Sequence, residues 1–289
     1  MTEPQPQLDR ILAQFDLERL DRDLFLGSPG PGKGRLFGGL IAAQAVIAAG
    51  RTVDEGRYLH SLHAYFLRPG NHDAPIRYAV YRIRDGRSFT SRDVFAYQSG
   101  EAIFSISTSY ATLESGGEFQ AAMPETPRPE TLRDLEAEWT LAHGDDDDRA
   151  WLTTMPVEQR HHKLGGVDPA TDLPWRGVWI RPKGTIPDDG GLHAALLAWI
   201  SDDGLMSTVS WDDDPAQRRG MRASLDHAMW FHEPPRWDGW LLYRSESVVG
   251  RNGRALITGA MYTPEGRRVL SVTQEALIRP PKGQAGLSV

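Results

Sequence analysis

A repeated motif constrains the fold of this chain more than any other feature of its sequence. The stronger copy is residues 221–234 (MRASLDHAMWFHEP), and the weaker copy is residues 59–69 (LHSLHAYFLRP). An alignment that allows a shift of one residue pairs His227 with His63 and pairs the prolines that end the two copies. A repeat of this kind predicts one structural unit that is used twice.

The segments after each copy repeat as well. Three runs of alternating apolar and polar residues follow each motif, separated by two glycine turns. The turns are residues 85–87 and 99–101 in the first half and residues 252–254 and 264–266 in the second half. Alternating runs joined by tight turns predict strands in hairpins, so each half is predicted to contain an antiparallel sheet.

Each half also contains a helix that is predicted to be buried. Residues 40–49 and 191–200 are small and apolar on nearly every face, and such a helix must be covered on most sides. The predicted fold class is therefore α+β, with two tandem units that each wrap an antiparallel sheet around a long buried helix. The predicted units are residues 1–115 and 175–289, joined by a linker of residues 116–174.

Two other segments have weaker patterns. Residues 8–26 carry apolar residues at helical spacing, which predicts an N-terminal helix or helix-turn that packs on the body. The linker is rich in proline and acidic residues, and its pattern favours one short helix around residues 132–141.

Composition excludes several classes of protein and site. The 289 residues include no cysteine, which excludes disulfides, thiolate nucleophiles and cysteine-based zinc sites. A net charge of −7 without a basic run disfavours nucleic acid as a partner. No apolar run approaches the roughly 18 residues that a membrane helix needs, so we expect a soluble protein without a membrane partner. The polar N-terminus lacks the features of a signal peptide and favours a cytoplasmic location.

Polar residues stand at two positions where burial is predicted. Asp202 and Asp203 follow the second buried helix, where the negative end of the helix dipole opposes ionisation and predicts a raised pKa. Gln274 lies between Val272 and Ala276 on an apolar strand face. A buried amide there costs about 1–3 kcal/mol unless it is hydrogen bonded, which favours a functional role for Gln274.

Four motifs in this order resemble the type II acyl-CoA thioesterases, the TesB-like double hot dog family. They are residues 35–39 (RLFGG), 60–70 (HSLHAYFLRPG), 84–89 (RDGRSF) and 225–232 (LDHAMWFH). The resemblance covers nearly all of residues 8–280. It implies a double hot dog fold and the hydrolysis of fatty acyl-CoA to free fatty acid and CoA, with no metal, no cofactor and no covalent intermediate.

The resemblance also implies a site. Members of the family orient a water with an Asp, a Ser or Thr and a Gln, which fall on Asp202, Ser224 and Gln274 of this sequence. A carboxylate with a raised pKa can take a proton from water, and a hydroxyl and an amide can hold either the water or the carboxylate. Asp203 stands where the family usually has an apolar or neutral residue, so it is open which of the two carboxylates faces the site.

Further binding residues are predicted more weakly. Gly38 and Gly39 precede the first buried helix, and their N–H groups are candidates for an oxyanion site. An alternative is that these glycines only let the helix pack closely against the sheet. CoA is polyanionic and the chain is acidic, so local arginines would have to bind its phosphates. The candidates are Arg68, Arg84, Arg87 and Arg279.

Several alternatives stay open. A hot dog hydratase or dehydratase needs an Asp and a His together, and the second helix offers Asp202 with His193 only at its opposite end. A non-catalytic acyl-CoA-binding protein would use the same pocket without turnover. A serine-hydrolase triad is disfavoured, because Asp226 and His227 are adjacent in a strand and point to opposite faces. The equivalence of His227 with His63 suggests packing roles for both. The resemblance also leads us to expect a homo-oligomer, most simply a dimer.

Overall fold

The structure is a computed structural model that describes residues 5–143, 153–163, 167–168, 170–209 and 221–279. Its helices are α1 (Gln5–Gln14), α2 (Gly38–Gly50), α3 (Leu135–His143) and α4 (Gly190–Ser201), with short 3₁₀ helices at Pro129–Thr131 and Leu205–Thr208. Its strands are β1 (Glu18–Asp21), β2 (Leu24–Gly27), β3 (Tyr58–Phe66), β4 (Ile76–Asp85), β5 (Phe89–Gln98), β6 (Glu101–Ala111), β7 (Val157–Lys163), β8 (Trp175–Pro182), β9 (Met221–Ser224), β10 (Asp226–Phe231), β11 (Leu241–Arg251), β12 (Arg254–Tyr262) and β13 (Arg268–Arg279).

The described strands form one antiparallel sheet in two matching halves. The sheet has 13 strands in the order β1-β2-β4-β5-β6-β3-β10-β13-β12-β11-β8-β7, with β9 paired to β13. The order β4-β5-β6-β3 in one half mirrors β11-β12-β13-β10 in the other, as the repeat predicts. The halves meet where β3 and β10 pair, with Asp226 opposite Tyr65 and Trp230 opposite Ser61.

The two long helices are buried because their sequences offer no polar face. In α2 every residue from Gly39 to Ala49 is buried, and in α4 every residue from His193 to Ser201 is buried. The helices pack against each other in opposite directions, so the start of α2 lies against the end of α4. This is the double hot dog arrangement, and the predicted α+β fold class is confirmed.

The N-termini of the two helices are capped differently. The Asp189 side chain accepts hydrogen bonds from the N–H groups of Gly191 at 2.7 Å and Leu192 at 3.3 Å, which satisfies the start of α4. The residue before α2 is Phe37, which has no side-chain acceptor for the first N–H groups of the helix. The start of α2 is therefore available to an acceptor from elsewhere in the chain.

Two segments differ from the sequence prediction. Only the first part of residues 8–26 is helical, and the rest forms the hairpin of β1 and β2, in which Leu24 pairs with Ala79 of β4. Within the predicted linker, β7 pairs with β8 and extends the second half of the sheet. The boundaries at residues 115 and 174 stay predictions. None of the helices in the described ranges is long and apolar enough to cross a membrane.

Candidate active site

Asp202 lies at the junction between the end of α4 and the start of α2. Its side chain is buried, and the Gly39 N–H group donates a hydrogen bond to its carboxylate. A Cβ atom on Gly38 would lie 2.8 Å from Asp202 Oδ2, and one on Gly39 would lie 2.4 Å from the Trp199 carbonyl oxygen. Both glycines are therefore needed for the close approach of the two helices, whereas the sequence alternative had assigned them to packing of the helix against the sheet.

The pKa of Asp202 is raised, which confirms the direction predicted from the sequence. Burial is the main cause, because it removes the carboxylate from water, and the nearby Asp203 raises the pKa of Asp202 further. His227, the Gly39 N–H group and the Ser224 hydroxyl act in the opposite direction and lower it. The cause therefore differs from the prediction, which relied on the dipole of the preceding helix.

The structure brings the three predicted site residues together. The Ser224 hydroxyl donates to Asp202 Oδ1 at 3.4 Å, and the Gln274 amide donates from Nε2 to Ser224 Oγ at 2.9 Å. Gln274 is fully buried. An unbroken series of side-chain hydrogen bonds thus runs from β13 through the end of β9 to the carboxylate.

Strand geometry explains how Ser224 and Gln274 reach the same place. Ser224 is the last residue of β9 and lies opposite Ala276 of β13. Val272, Gln274 and Ala276 are alternate residues of β13 and all face the buried side of the sheet. Leu225, between β9 and β10, donates its N–H group to the Glu275 carbonyl oxygen at 2.9 Å, and its own carbonyl oxygen accepts from the Phe66 N–H group at 3.0 Å, so this residue also contacts the first half.

Asp203 points away from Asp202 and its partners. Its carboxylate accepts a hydrogen bond from Gln159 of β7 at 2.9 Å, and its carbonyl oxygen accepts from the buried Arg176 at 3.3 Å. Gly204 follows with φ +74°, and a Cβ atom there would lie 2.5 Å from Arg176 Nη1. The geometry therefore settles which carboxylate faces the junction: it is Asp202.

His227 is a member of the site that the sequence analysis missed. The side chain is 1 % exposed; Nδ1 lies 2.7 Å from Gln274 Oε1, and Nε2 lies 2.8 Å from Ser201 Oγ. The alignment of His227 with His63 was wrong, because His63 is exposed and its ring packs edge-on against Trp230. The two histidines stand on opposite faces of their strands.

A second alignment in the same sequence places His227 correctly. Phe231 and Phe66 are 231 − 66 = 165 residues apart, and both belong to the same part of the repeat. That spacing sets His227 on Leu62, which is also buried. Successive residues of a strand point to opposite faces of the sheet, so the spacing that preserves the buried face was the correct guide to the alignment. The histidine shared by the two copies was misleading.

Neither Asp226 nor His193, the residues named for the alternative mechanisms, joins Asp202 in the site. Asp226 accepts a hydrogen bond from the Glu275 N–H group at 2.6 Å and does not orient His227. His193 accepts from the Trp237 N–H group at 3.0 Å near the start of α4, roughly 13 Å from Asp202 at 1.5 Å per helical residue. Among the residues that the structure describes, no cluster of acidic and histidine side chains could hold a metal ion.

The four predicted arginines lie at two different ends of the molecule. Arg68 follows β3 near Phe66, which contacts Gly38, and it pairs with Glu101 at 3.1 Å. Arg279 ends β13, about 17 Å along the strand from Gln274 at about 3.4 Å per residue.

Arg84 and Arg87 are not brought to Asp202. Arg84 lies near the end of β4 and Arg87 lies in the turn between β4 and β5. The carbonyl oxygens of Gly86 and Arg87 in this turn accept hydrogen bonds from Arg57 at 2.7 and 3.0 Å. Arg57 lines a cavity together with Gly190 at the start of α4, the opposite end of that helix from Asp202.

Comparisons with known proteins agree with this geometry. A family model described as "Acyl-CoA thioesterase C-terminal domain" matches residues 124–278, and one described as "Acyl-CoA thioesterase N-terminal domain" matches residues 28–113. Acyl-coenzyme A thioesterase 8 of Mus musculus is 35% identical over 283 residues, covering 93% of this chain and 88% of that protein.

Two bacterial proteins are similar over nearly their whole length. Acyl-CoA thioesterase 2 of Haemophilus influenzae is 33% identical over 281 residues, covering 94% of this chain and 98% of that protein. The crystal structure of the acyl-CoA thioesterase II TesB2 from Mycobacterium marinum superposes with a TM-score of 0.81 at 36% identity, covering 96% of this chain and 100% of that chain.

Proposed function

The chain belongs to the type II acyl-CoA thioesterase family, and from that membership we propose that it hydrolyses fatty acyl-CoA with a water held by Asp202, Ser224 and Gln274. The observation that carries the proposal is the series of hydrogen bonds that joins these three side chains at the junction of α2 and α4. A buried carboxylate with a raised pKa is a suitable general base near neutral pH.

The proposed reaction is a direct attack by water. Ionised Asp202 takes a proton from the water as its oxygen bonds to the thioester carbonyl carbon, which gives a tetrahedral oxyanion. The carbon–sulfur bond then breaks, and the CoA thiolate leaves with the proton that Asp202 had taken. The products are free fatty acid and CoA, and Asp202 returns to its ionised form.

The glycines at the start of α2 have separate proposed roles. Gly39 already donates its N–H group to Asp202, so it holds the base in place. Gly38 is our candidate for the oxyanion donor, because helix N-terminal N–H groups favour developing negative charge. Its lack of a side chain also leaves room beside Asp202.

The proposed binding of CoA uses arginines at the Asp202 end only. Arg68 and Arg279 are the candidates for its phosphates, and the positions of Arg84 and Arg87 remove these two from the proposal. A cytoplasmic location and assembly into a dimer also stay predictions; the dimer is tested by light scattering during gel filtration.

Thiol release from a panel of short, long, straight and branched acyl-CoAs tests the proposed function. The wild type is expected to release thiol, and Asp202→Asn is expected to lose about 10²–10⁴-fold in kcat, the usual contribution of a general base. Acyl-CoA binding without thiol release by the wild type would instead indicate a binding protein. Hydration of crotonyl-CoA without hydrolysis would indicate a hydratase.

A further inference from the structure

His227 lies in a fully buried position behind the proposed catalytic residues. In the antiparallel pairing of β10 with β13, Ala228 lies opposite Thr273. The preceding residue His227 therefore lies opposite Gln274, and its ring is beside the Gln274 side chain. Nδ1 is 2.7 Å from Gln274 Oε1 and Nε2 is 2.8 Å from Ser201 Oγ, so both ring nitrogens have partners. His227 therefore contacts the site through Gln274.

The direction of these hydrogen bonds follows from the charge of Asp202. An ionised carboxylate has no proton, so the Ser224 hydroxyl must donate to it. Ser224 Oγ then needs a donor from Gln274, which only the amide nitrogen supplies. The amide oxygen must in consequence face His227, and Nδ1 must carry a proton.

The opposite arrangement would remove the support for Asp202. If Nδ1 of His227 lacked a proton, it would accept from the amide nitrogen of Gln274, and the amide oxygen would turn to Ser224. The Ser224 hydroxyl would then donate to Gln274 and leave Asp202 without this hydrogen bond. A proton on His227 Nδ1 thus determines whether the Ser224 hydroxyl donates to Asp202 or to Gln274.

We propose that His227 is a positioning residue for hydrolysis: its Nδ1–H group holds the Gln274 amide in the orientation that leaves the Ser224 hydroxyl proton for Asp202. This inference rests on the proposed function, since it assigns His227 a role through Gln274 and Ser224. His227 does not touch the water or the thioester.

Ser201 fixes the other side of the imidazole. Its hydroxyl lies 2.8 Å from His227 Nε2 and 2.9 Å from the Ala198 carbonyl oxygen, so it can donate to a neutral ring or accept from a charged one. Its carbonyl oxygen accepts from the Tyr243 hydroxyl at 2.7 Å. Because Ser201 directly precedes Asp202, the imidazole is held by the same turn that carries the base.

Packing alone does not require a histidine at this position. The corresponding residue of the first half is Leu62, which is 1 % exposed and lies opposite Thr108. The same strand position of the repeat therefore accepts a leucine in an equally buried environment. At this strand position a histidine occurs in the half whose helix is followed by Asp202, and a leucine occurs in the half whose helix is followed by Arg51.

Two substitutions of similar size distinguish a positioning role of His227 from a packing role. His227→Leu copies the other half and removes the donor, whereas His227→Asn keeps an amide N–H group close to the Nδ1 position. We expect His227→Leu to lower kcat by about 10- to 100-fold, the range known for hydrogen-bond partners that orient metal ligands, with KM changed less than about threefold. His227→Asn should stay within about fivefold of wild type. Wild-type kcat in His227→Leu, or an equal loss in both variants, would overturn the proposal.

A double-mutant cycle tests whether His227 acts through Gln274. In a Gln274→Met background, His227→Leu should cause less than about a threefold further loss of kcat, because the amide that it orients is gone. Losses that multiply would show an independent role and overturn the proposal. Urea unfolding of each variant reports the structural effect separately.

A further variant covers the case in which His227→Leu does not fold. His227→Gln places its amide nitrogen near the Nε2 position, toward Ser201, and we expect it to lose kcat while His227→Asn keeps it. Equal activity of these two variants would contradict the proposal. Failure of the proposed function is distinct, because it would appear as full activity in Asp202→Asn whatever the result at His227.

Discussion

Asp202 is held between groups that favour and groups that oppose its charge. Burial raises its pKa, and the Gly39 N–H group and the Ser224 hydroxyl limit that rise. The ionised form is the one that can accept a proton from water. The pH dependence of the enzyme and its stability should therefore both report this carboxylate.

The acid limb of the pH–rate profile should lie above the ordinary aspartate range. As the pH falls through the raised pKa of Asp202, the base becomes protonated and kcat/KM should fall about tenfold per pH unit. Ser224→Ala removes a hydrogen bond that lowers this pKa, so its acid limb should move to higher pH. Profiles measured between pH 4 and pH 9 check this; an unmoved limb in Ser224→Ala would contradict the contact.

Asp202→Asn should make the protein more stable at neutral pH. Between the unfolded pKa, near 3.8, and the raised folded pKa, the folded carboxyl binds more protons than the unfolded one. The free energy of unfolding therefore decreases as the pH rises through this window and stays lower above it. An asparagine oxygen can still accept from Gly39 without carrying charge. A higher Tm for Asp202→Asn at pH 7, with a smaller difference at pH 4, is expected; a lower Tm at pH 7 would contradict this.

The residues of the proposed site could be predicted from the sequence where they match the motifs of a known family. Asp202, Ser224 and Gln274 were predicted in this way, and their convergence was not visible in the sequence because it needs β9, β13 and α4 to meet. The sequence analysis assigned His227 to packing. It gave more weight to the match with His63 than to the alternation of strand residues between the two faces of the sheet. The choice between Asp202 and Asp203 depends on the turn at Gly204 and on Arg176. Gly204 marks the end of the helix in the sequence, but the contact with Arg176 is non-local and shows which carboxylate faces the junction only in the structure.

At the scale of elements, the junction of α2 with α4 is the feature that positions the proposed site. Gly39→Ala should be damaging, because its Cβ would lie 2.4 Å from the Trp199 carbonyl oxygen, a backbone atom that cannot rotate away. We expect the free energy of unfolding to fall by about 1–3 kcal/mol, as for other overpacked positions, and kcat to fall with it.

Gly50→Ala is the matched control at the other end of α2. A Cβ atom there would meet only the Tyr110 hydroxyl, at 3.7 Å, which is ordinary contact. Alanine is favoured over glycine in helices by about 1 kcal/mol, so stability should hold or rise. Urea unfolding and kcat of the two variants make the comparison, and equal effects would show that the close approach at Gly39 does not matter.

The predicted elements were most accurate where one periodicity was strong. The uniformly apolar α2 and α4 and the alternating strands of the two hairpin series were recognisable. Residues 18–27 carry Leu20 and Leu24 at a spacing that suits a helix, yet they form a hairpin because β2 pairs with the outer edge of β4. That contact is non-local and leaves little trace in the local pattern.

At the scale of the whole molecule, the repeat gives two helix junctions, and the proposed catalytic groups lie at one of them. The residue after α2 that corresponds to Asp202 is Arg51, and the strand positions of His227 and Gln274 carry Leu62 and Thr108 in the first half. A cavity of about 930 Å³ lies at this second junction. Its charged lining has more acidic than basic groups, which disfavours a polyanionic CoA: Asp16, Asp54, Glu55, Asp188 and Asp189 against Arg51 and Arg57.

One acyl-CoA per chain should therefore bind. Isothermal titration of Asp202→Asn with a long-chain acyl-CoA is expected to give a stoichiometry near one, because the second junction lacks the polar groups and has an unfavourable charge. A stoichiometry near two would show that the first half also forms a binding site. Wild-type protein with a non-hydrolysable thioether analogue is the control.

The repeat predicted two similar units, but it did not predict how they join. The pairing of β3 with β10 and the opposed packing of α2 on α4 are contacts between halves, and a repeat describes each half by itself. The proposed site is formed by that association: Asp202, Ser224 and Gln274 come from the second half, and the candidate residues Gly38 and Gly39 come from the first.

The most direct measurement is kcat for thiol release by Asp202→Asn beside Asp203→Asn. The two substitutions remove the same charge from adjacent residues, but Asp203 faces Gln159 and has no contact with Ser224. We expect Asp202→Asn to lose about 10²–10⁴-fold and Asp203→Asn to stay within about threefold of wild type. Equal losses in both variants, or full activity in Asp202→Asn, would contradict the assignment of Asp202 as the base that activates water.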